Sequence, residues 1–147
     1  MKTRFFSLAV ALLLFEARAE QGGWLTDFSK AQSQAKAQKK LLIMDFNGSD
    51  WCPPCQVLRT NVFESPQFRE FAKQNVVLLD VDFPNQKKQT EEVKRANEAL
   101  ARKFDVQGFP TVIVMSPDGK ELKKMDGYEG QSAEEFVAAL KKLKKED

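Results

Sequence analysis

The sequence predicts an α/β protein with a mixed sheet of about four strands and helices on both faces. Two observations carry this. Leu41–Phe46 and Val76–Asp82 are continuous aliphatic runs of strand length, separated by helix-patterned sequence, so they read as buried strands lying parallel through a crossover. Thr111–Met115 and Lys120–Met125 are then joined by Pro117-Asp118-Gly119, a tight turn that returns the chain as an antiparallel hairpin. A third observation locates the chemistry. Cys52 and Cys55 follow the first aliphatic run, at the carboxyl end of a strand, where open α/β sheets place their sites.

The elements follow in order. Gln21-Gly22-Gly23 is a flexible lead, and Trp24-Leu25 packs on the domain. Asp27 caps a helix over Phe28–Gln38, with Ala31, Ala35 and the stem of Lys39 at helical spacing. Asn47-Gly48-Ser49-Asp50 is turn chemistry. Pro53 and Pro54 suit a first helical turn, where N–H groups have no intrahelical partner, and that helix extends to Val62 or Phe63. Ser65-Pro66 starts another helix, with Phe68, Phe71 and Ala72 on one face. A charged helix over 87–104 places Val93, Ala96, Leu100 and Phe104 on its apolar side. Ser132 and Glu135 form a capping box for the last helix, whose face is Phe136, Val137, Leu140 and Leu143. The lysines at 141, 142, 144 and 145 are a solvated face that suits the helix dipole.

Residues 1–19 read as a secretory signal peptide: a basic head with Lys2 and Arg4, an 11-residue apolar stretch over Phe5–Phe15, and Ala17-Arg18-Ala19 as a cleavage site. The stretch is short against the roughly 20 residues that span a bilayer, so no stable membrane insertion is expected after its removal. The whole chain has 147 residues and a net charge of +2. Losing Lys2, Arg4, Arg18 and Glu16 brings residues 20–147 to about neutrality, so no basic field argues for nucleic acid. That remainder is one domain with room for one core, placed in the periplasm or outside the cell.

Trp51-Cys52-Pro53-Pro54-Cys55 contains the chain's only two cysteines. Cys52 stands where a strand feeds a helix, and free N–H groups with the helix dipole stabilise a thiolate there. Cys52 is therefore the predicted nucleophile. Cys55, one turn further in, is expected to be the more buried thiol, resolving a mixed disulfide. The bland reading is a structural bridge, but so small a loop constrains little of the unfolded chain. A zinc site wants about four ligands. With no histidine and no further cysteine, a Cys/His site would have to be shared between chains. Copper(I) held by the two thiolates is a further alternative, disfavoured by the lack of histidine and of methionine nearby.

Three features together resemble the thioredoxin superfamily over nearly all of Trp24–Leu143: Asp45-Phe46 before the dithiol, the dithiol motif itself, and Gly108-Phe109-Pro110-Thr111 before the hairpin. The stretch over 61–68 and the long helix before Gly108 resemble the secreted subgroup. The carboxyl-terminal domain of the periplasmic electron-carrying disulfide reductase is similar in these respects. The resemblance implies a thioredoxin-like fold and roles for single residues. Cys52 would attack, Cys55 would resolve and Trp51 would shield the site. Pro110 would be a cis-proline facing the dithiol, leaving the Phe109 backbone to pair with a substrate chain. Asp45 would be the buried carboxylate that takes the Cys55 proton. Burial independently suits Asp45 to that task by raising its pKa; the alternative is a solvent-exposed strand end. The chain departs from thioredoxin in having Pro-Pro between the cysteines, Gln56 after them, and one more residue between Asp45 and Cys52.

The reaction so implied is thiol–disulfide exchange on client proteins, without metal or organic cofactor, drawing electrons from an upstream membrane or soluble thiol donor. Neither proline can donate an N–H to the Cys52 sulfur, which favours the reducing direction. The rival readings are a disulfide oxidase or isomerase and a non-catalytic redox-responsive binding module.

Overall fold

In the computed structural model, which describes residues 23–146, the sheet has five strands in the order β1-β3-β2-β4-β5. The expected signal peptide, residues 1–19, lies outside the described residues. The centre of the sheet is β2 (Leu41–Asn47), paired parallel with β3 (Val76–Asp82) and antiparallel with β4 (Thr111–Met115). β5 (Glu121–Asp126) completes the hairpin with β4. The extra strand is β1, only Trp24–Leu25, running parallel to β3 at Leu78 and Leu79. Two residues are too few to show a period, which is why Trp24-Leu25 reads from sequence as a packed lead and the sheet as about four strands.

Alternation along β2 and β3 sends their side chains into two cores. Leu41, Ile43, Val76 and Leu78 face α2 (Pro53–Leu58), α3 (Pro66–Asn75) and α5 (Ala133–Glu146). Leu42, Met44, Phe46, Val77, Leu79 and Val81 face α1 (Phe28–Gln38) and α4 (Glu91–Lys103). Helices therefore cover both faces, as predicted.

Several helix details differ from the sequence reading. Lys39 does not continue the α1 face: it is exposed, in the left-handed region at φ 53°, and closes the helix end. α2 passes into a π-helical turn over Arg59–Phe63, where the Glu64 N–H bonds back to the Arg59 carbonyl at 2.8 Å. The wider turn brings the successive residues Val62 and Phe63 both into the core. α4 starts at Glu91 rather than 87, capped by Thr90, whose hydroxyl accepts from the Val93 N–H. On it Ala96 is exposed and Asn97 is buried instead, donating to the Asp82 carbonyl at 2.9 Å. A polar side chain satisfied by a strand end takes the place that apolar spacing assigned to alanine.

The Phe63 ring binds this side of the molecule together, with ring centroids 5.2 Å from Trp24, 5.2 Å from Phe68 and 5.7 Å from Phe136. Phe63→Ala should cost about 3–5 kcal/mol of stability, read from urea unfolding. A loss below about 1 kcal/mol would show that the aromatic cluster collapses without it.

Candidate active site

Cys52 and Cys55 are joined by a disulfide, with Cα atoms 5.3 Å apart. Cys52 is the N-cap residue of α2, in extended conformation and without a side-chain capping bond, and Pro53 and Pro54 occupy the first helical positions. The sequence reading made Cys55 the more buried thiol. In this oxidised form both are buried, Cys52 at 3 % and Cys55 at 5 % exposure. The disulfide draws the Cys52 sulfur in beside its partner, so burial does not separate the two; their places on the helix do.

The loop that carries the motif is braced by the segment after β3. The Ser49 N–H and hydroxyl both donate to the Asp82 carboxylate, at 2.9 and 2.6 Å. Asp50 accepts from the backbone N–H groups of Asn85, Gln86 and Lys87 at 2.7–2.8 Å. These bonds, led by that from Asn85, hold its carboxyl below the usual range. The Trp51 indole N–H donates to the Phe83 carbonyl at 2.7 Å. The same indole lies on Gly48, where a Cβ would overlap the ring. Sequence reasoning saw only a turn here. The bonds to 85–87 fix the loop that precedes the Thr90 cap of α4.

An aromatic surface borders the dithiol. Phe109 meets Trp51 edge-on at 6.0 Å and stacks on Phe83 at 4.9 Å. Trp51 and Val57 are the exposed large hydrophobics among the described residues, and both flank the cysteines. The Phe109–Pro110 peptide bond is cis. Pro110 itself is buried, and its carbonyl accepts from the Gly127 N–H. No described residue bonds to the Phe109 backbone N–H or carbonyl.

Beneath α2, at the carboxyl ends of β2 and β3, four polar residues alternate onto one face: Asp45, Asn47, Asp80 and Asp82. Asp45 is 2 % exposed, and its Oδ1 has no hydrogen-bond partner among the described residues. Burial first, and then the charges of Asp80 and Asp82, push its carboxyl up to about 7; Arg59 opposes them. The exposed strand-end alternative for Asp45 is thereby excluded.

A family model described as a thioredoxin-like domain matches residues 28–144. The chain belongs to the thioredoxin-like family. The disulfide bond reductase DsbH of Chlamydia pneumoniae is 31 % identical over 114 residues, which are 78 % of this chain and 68 % of that protein. A solved DsbH oxidoreductase superposes with a TM-score of 0.74 at 30 % identity, covering 83 % of each chain. The C-terminal domain of DsbD from Neisseria meningitidis, in its oxidised form, superposes with a TM-score of 0.57 at 20 % identity. It covers 78 % of this chain and 90 % of that one, a likeness of fold. With its Cys-Pro-Pro-Cys pair, the chain is a disulfide-oxidoreductase member of the thioredoxin-like family.

In this thioredoxin-like domain Trp51, Phe109 and the disulfide gather on one surface, while Asp45 stands apart from solvent on the α2 side of the sheet. Asn47, Asp80 and Asp82 were not singled out from sequence. Their signal was the repeat of polar residues two apart at the ends of both aliphatic runs. Asp45 has a measurable cost. The folded chain holds its proton up to about pH 7, whereas the unfolded chain releases it near the ordinary 3.8. Between those values the folded state binds more protons, so stability falls as pH rises and levels off above. Asp45→Asn should match the parent near pH 4 and exceed it at pH 8 by up to about 4 kcal/mol in urea unfolding of the oxidised protein. A variant less stable than the parent at pH 8 would mean that ionised Asp45 is well accommodated.

Proposed function

We propose that this protein is a periplasmic or secreted reductase of protein disulfides. The observation that carries the reading is Cys52 at a helix start whose first two positions are proline, with no side-chain bond at the cap. Two N–H donors that would stabilise a thiolate are missing, and the chain has no histidine to replace them. A less stabilised thiolate makes the reduced form less stable and the couple more reducing. The relative named as a disulfide bond reductase supports the same direction.

The Cys52 thiolate attacks one sulfur of a client disulfide, releasing a client thiolate and forming a mixed disulfide. Cys55 gives its proton to Asp45 and attacks the Cys52 sulfur. The second client thiolate leaves, so the client gains two electrons and the Cys52–Cys55 pair becomes a disulfide. The Asp45 Oδ1, buried and without a partner among the described residues, suits proton acceptance near neutral pH. The Phe109 backbone supplies hydrogen bonds to an extended client segment, and Trp51 with Val57 gives it an apolar seat. The signal peptide over 1–19 delivers the domain to an oxidising compartment. There the couple stays reduced only if a membrane or soluble thiol donor recharges it.

Cys52→Ser should abolish reduction of a model disulfide substrate, while Cys55→Ser should accumulate mixed disulfides with clients. Faster alkylation of Cys55 than of Cys52 in the reduced protein would reverse the two roles. Equilibration with glutathione buffers should give a reduction potential closer to thioredoxin's about −270 mV than to DsbA's about −120 mV. A value above about −180 mV would assign the domain to oxidation or isomerisation. Failure to turn over any disulfide substrate would leave a redox-responsive binding module.

A further inference from the structure

Asp80 stands opposite Asp45 in the parallel β2–β3 ladder, on the same face of the sheet. Its carboxylate is largely enclosed, with the side chain 21 % exposed, and two groups hold it. The Asn47 amide donates to its Oδ1 at 2.7 Å while also donating to the Asp45 carbonyl at 3.1 Å. Arg59 places Nη2 3.8 Å from the same oxygen. Arg59 comes from the π-helical turn, four residues past Cys55, and its guanidinium lies over the Trp24 ring at 5.5 Å. The chain thus sets a second acid in register with its buried acid, and orients the Arg59 guanidinium beside it.

We propose that Asp80 and Arg59 are positioning residues for the resolving step: Asp80 holds the transferred proton on Asp45, and Arg59 helps to release it. The proposal rests on the reading of Asp45 as the acceptor of the Cys55 proton. Asp45 must be ionised to accept that proton, yet basic enough to take it from a thiol. A neighbouring carboxylate makes it more basic, and a neighbouring guanidinium makes it more readily ionised. The charged and titratable groups on the elements around Asp45 are few. β3 presents Asp80 and Asp82, the π-helical turn presents Arg59, and α2 presents the two cysteines; β4 presents only Val112 opposite it. Asp82 is committed to Ser49, which leaves the Asp80–Arg59 pair as the adjustable element. The Asp80 carboxyl is itself raised by burial, against the Asn47 bond and the Arg59 charge, and Lys87 also lowers it from the loop after β3.

The test is a carbon-13 NMR titration of the Asp45 carboxyl in the oxidised protein, a readout that does not depend on turnover or its direction. Asp80→Asn keeps the side-chain shape and an acceptor for Asn47, and should move the Asp45 midpoint down by about one unit. Arg59→Gln should move it up by a similar amount, with Arg59→Lys falling between it and the parent. The pH profile of mixed-disulfide release should shift in the same two opposite directions. Midpoints unmoved, or both moved the same way as by a general loosening, would overturn the proposal. A release profile that Asp45→Asn leaves unaltered removes Asp45 from the reaction and overturns both readings. A profile altered by Asp45→Asn but by neither Asp80→Asn nor Arg59→Gln overturns this one alone.

Discussion

The seven-pair parallel ladder between β2 and β3, from Leu41↔Val76 to Asn47↔Asp82, is the constraint on which the rest of the structure depends. Its register decides which side chain faces which core, because a slip of one residue would send every side chain to the opposite face. With this register the aliphatic residues of both strands divide between two cores. The polar residues at the strand ends, Asp45, Asn47, Asp80 and Asp82, converge on one face at one end. The ladder also sets the starting point of the dithiol loop, since β2 delivers the chain to Gly48 and β3 delivers the segment that braces it.

That brace explains how a short loop holds a reactive pair in place. Asp82 takes two bonds from Ser49, Asp50 takes three from the backbone of 85–87, and Trp51 reaches the Phe83 carbonyl. Each bond crosses more than thirty residues of sequence, so the loop has little freedom once β3 is in place. The aromatic surface of Trp51, Phe109 and Phe83 is a product of the same closure, joining three loops that are distant in the chain. Against this well-satisfied periphery, Asp45 is the exception. A buried carboxylate whose Oδ1 has no partner among the described residues is costly to ionise, and such a group is useful where a proton must change hands away from water.

The elements with the strongest periodicity were the most legible. β2, β3 and β4 each carry an aliphatic run, and Ser65 and the Ser132–Glu135 box mark their helix starts with the expected bonds. Legibility failed where a long-range partner overrode a local pattern. Asn97 is buried where Ala96 was expected because its amide reaches the Asp82 carbonyl. α4 begins only at Glu91, capped by Thr90, with Asp50 holding the backbone N–H groups of 85–87 in the loop before it. β1 was missed because two residues carry no period, and the equal burial of the two cysteines because the closed disulfide fixes it.

By itself, then, the sequence determined the α/β class, the dithiol at a strand's carboxyl end, and the candidate residues Cys52, Cys55, Trp51, Phe109, Pro110 and Asp45. The class and the dithiol follow from local chemistry, namely apolar period, turn and cap residues and the spacing of the only thiols, whereas Trp51, Phe109, Pro110 and Asp45 came with the resemblance to the thioredoxin superfamily. Tertiary structure alone decided that Asp45 is enclosed, that Asp80 and Arg59 stand beside it, and that Phe83 joins the aromatic surface. Burial, charge proximity and ring stacking depend on which distant segments meet, and the β2–β3 register sets that meeting, which no local window of the sequence contains.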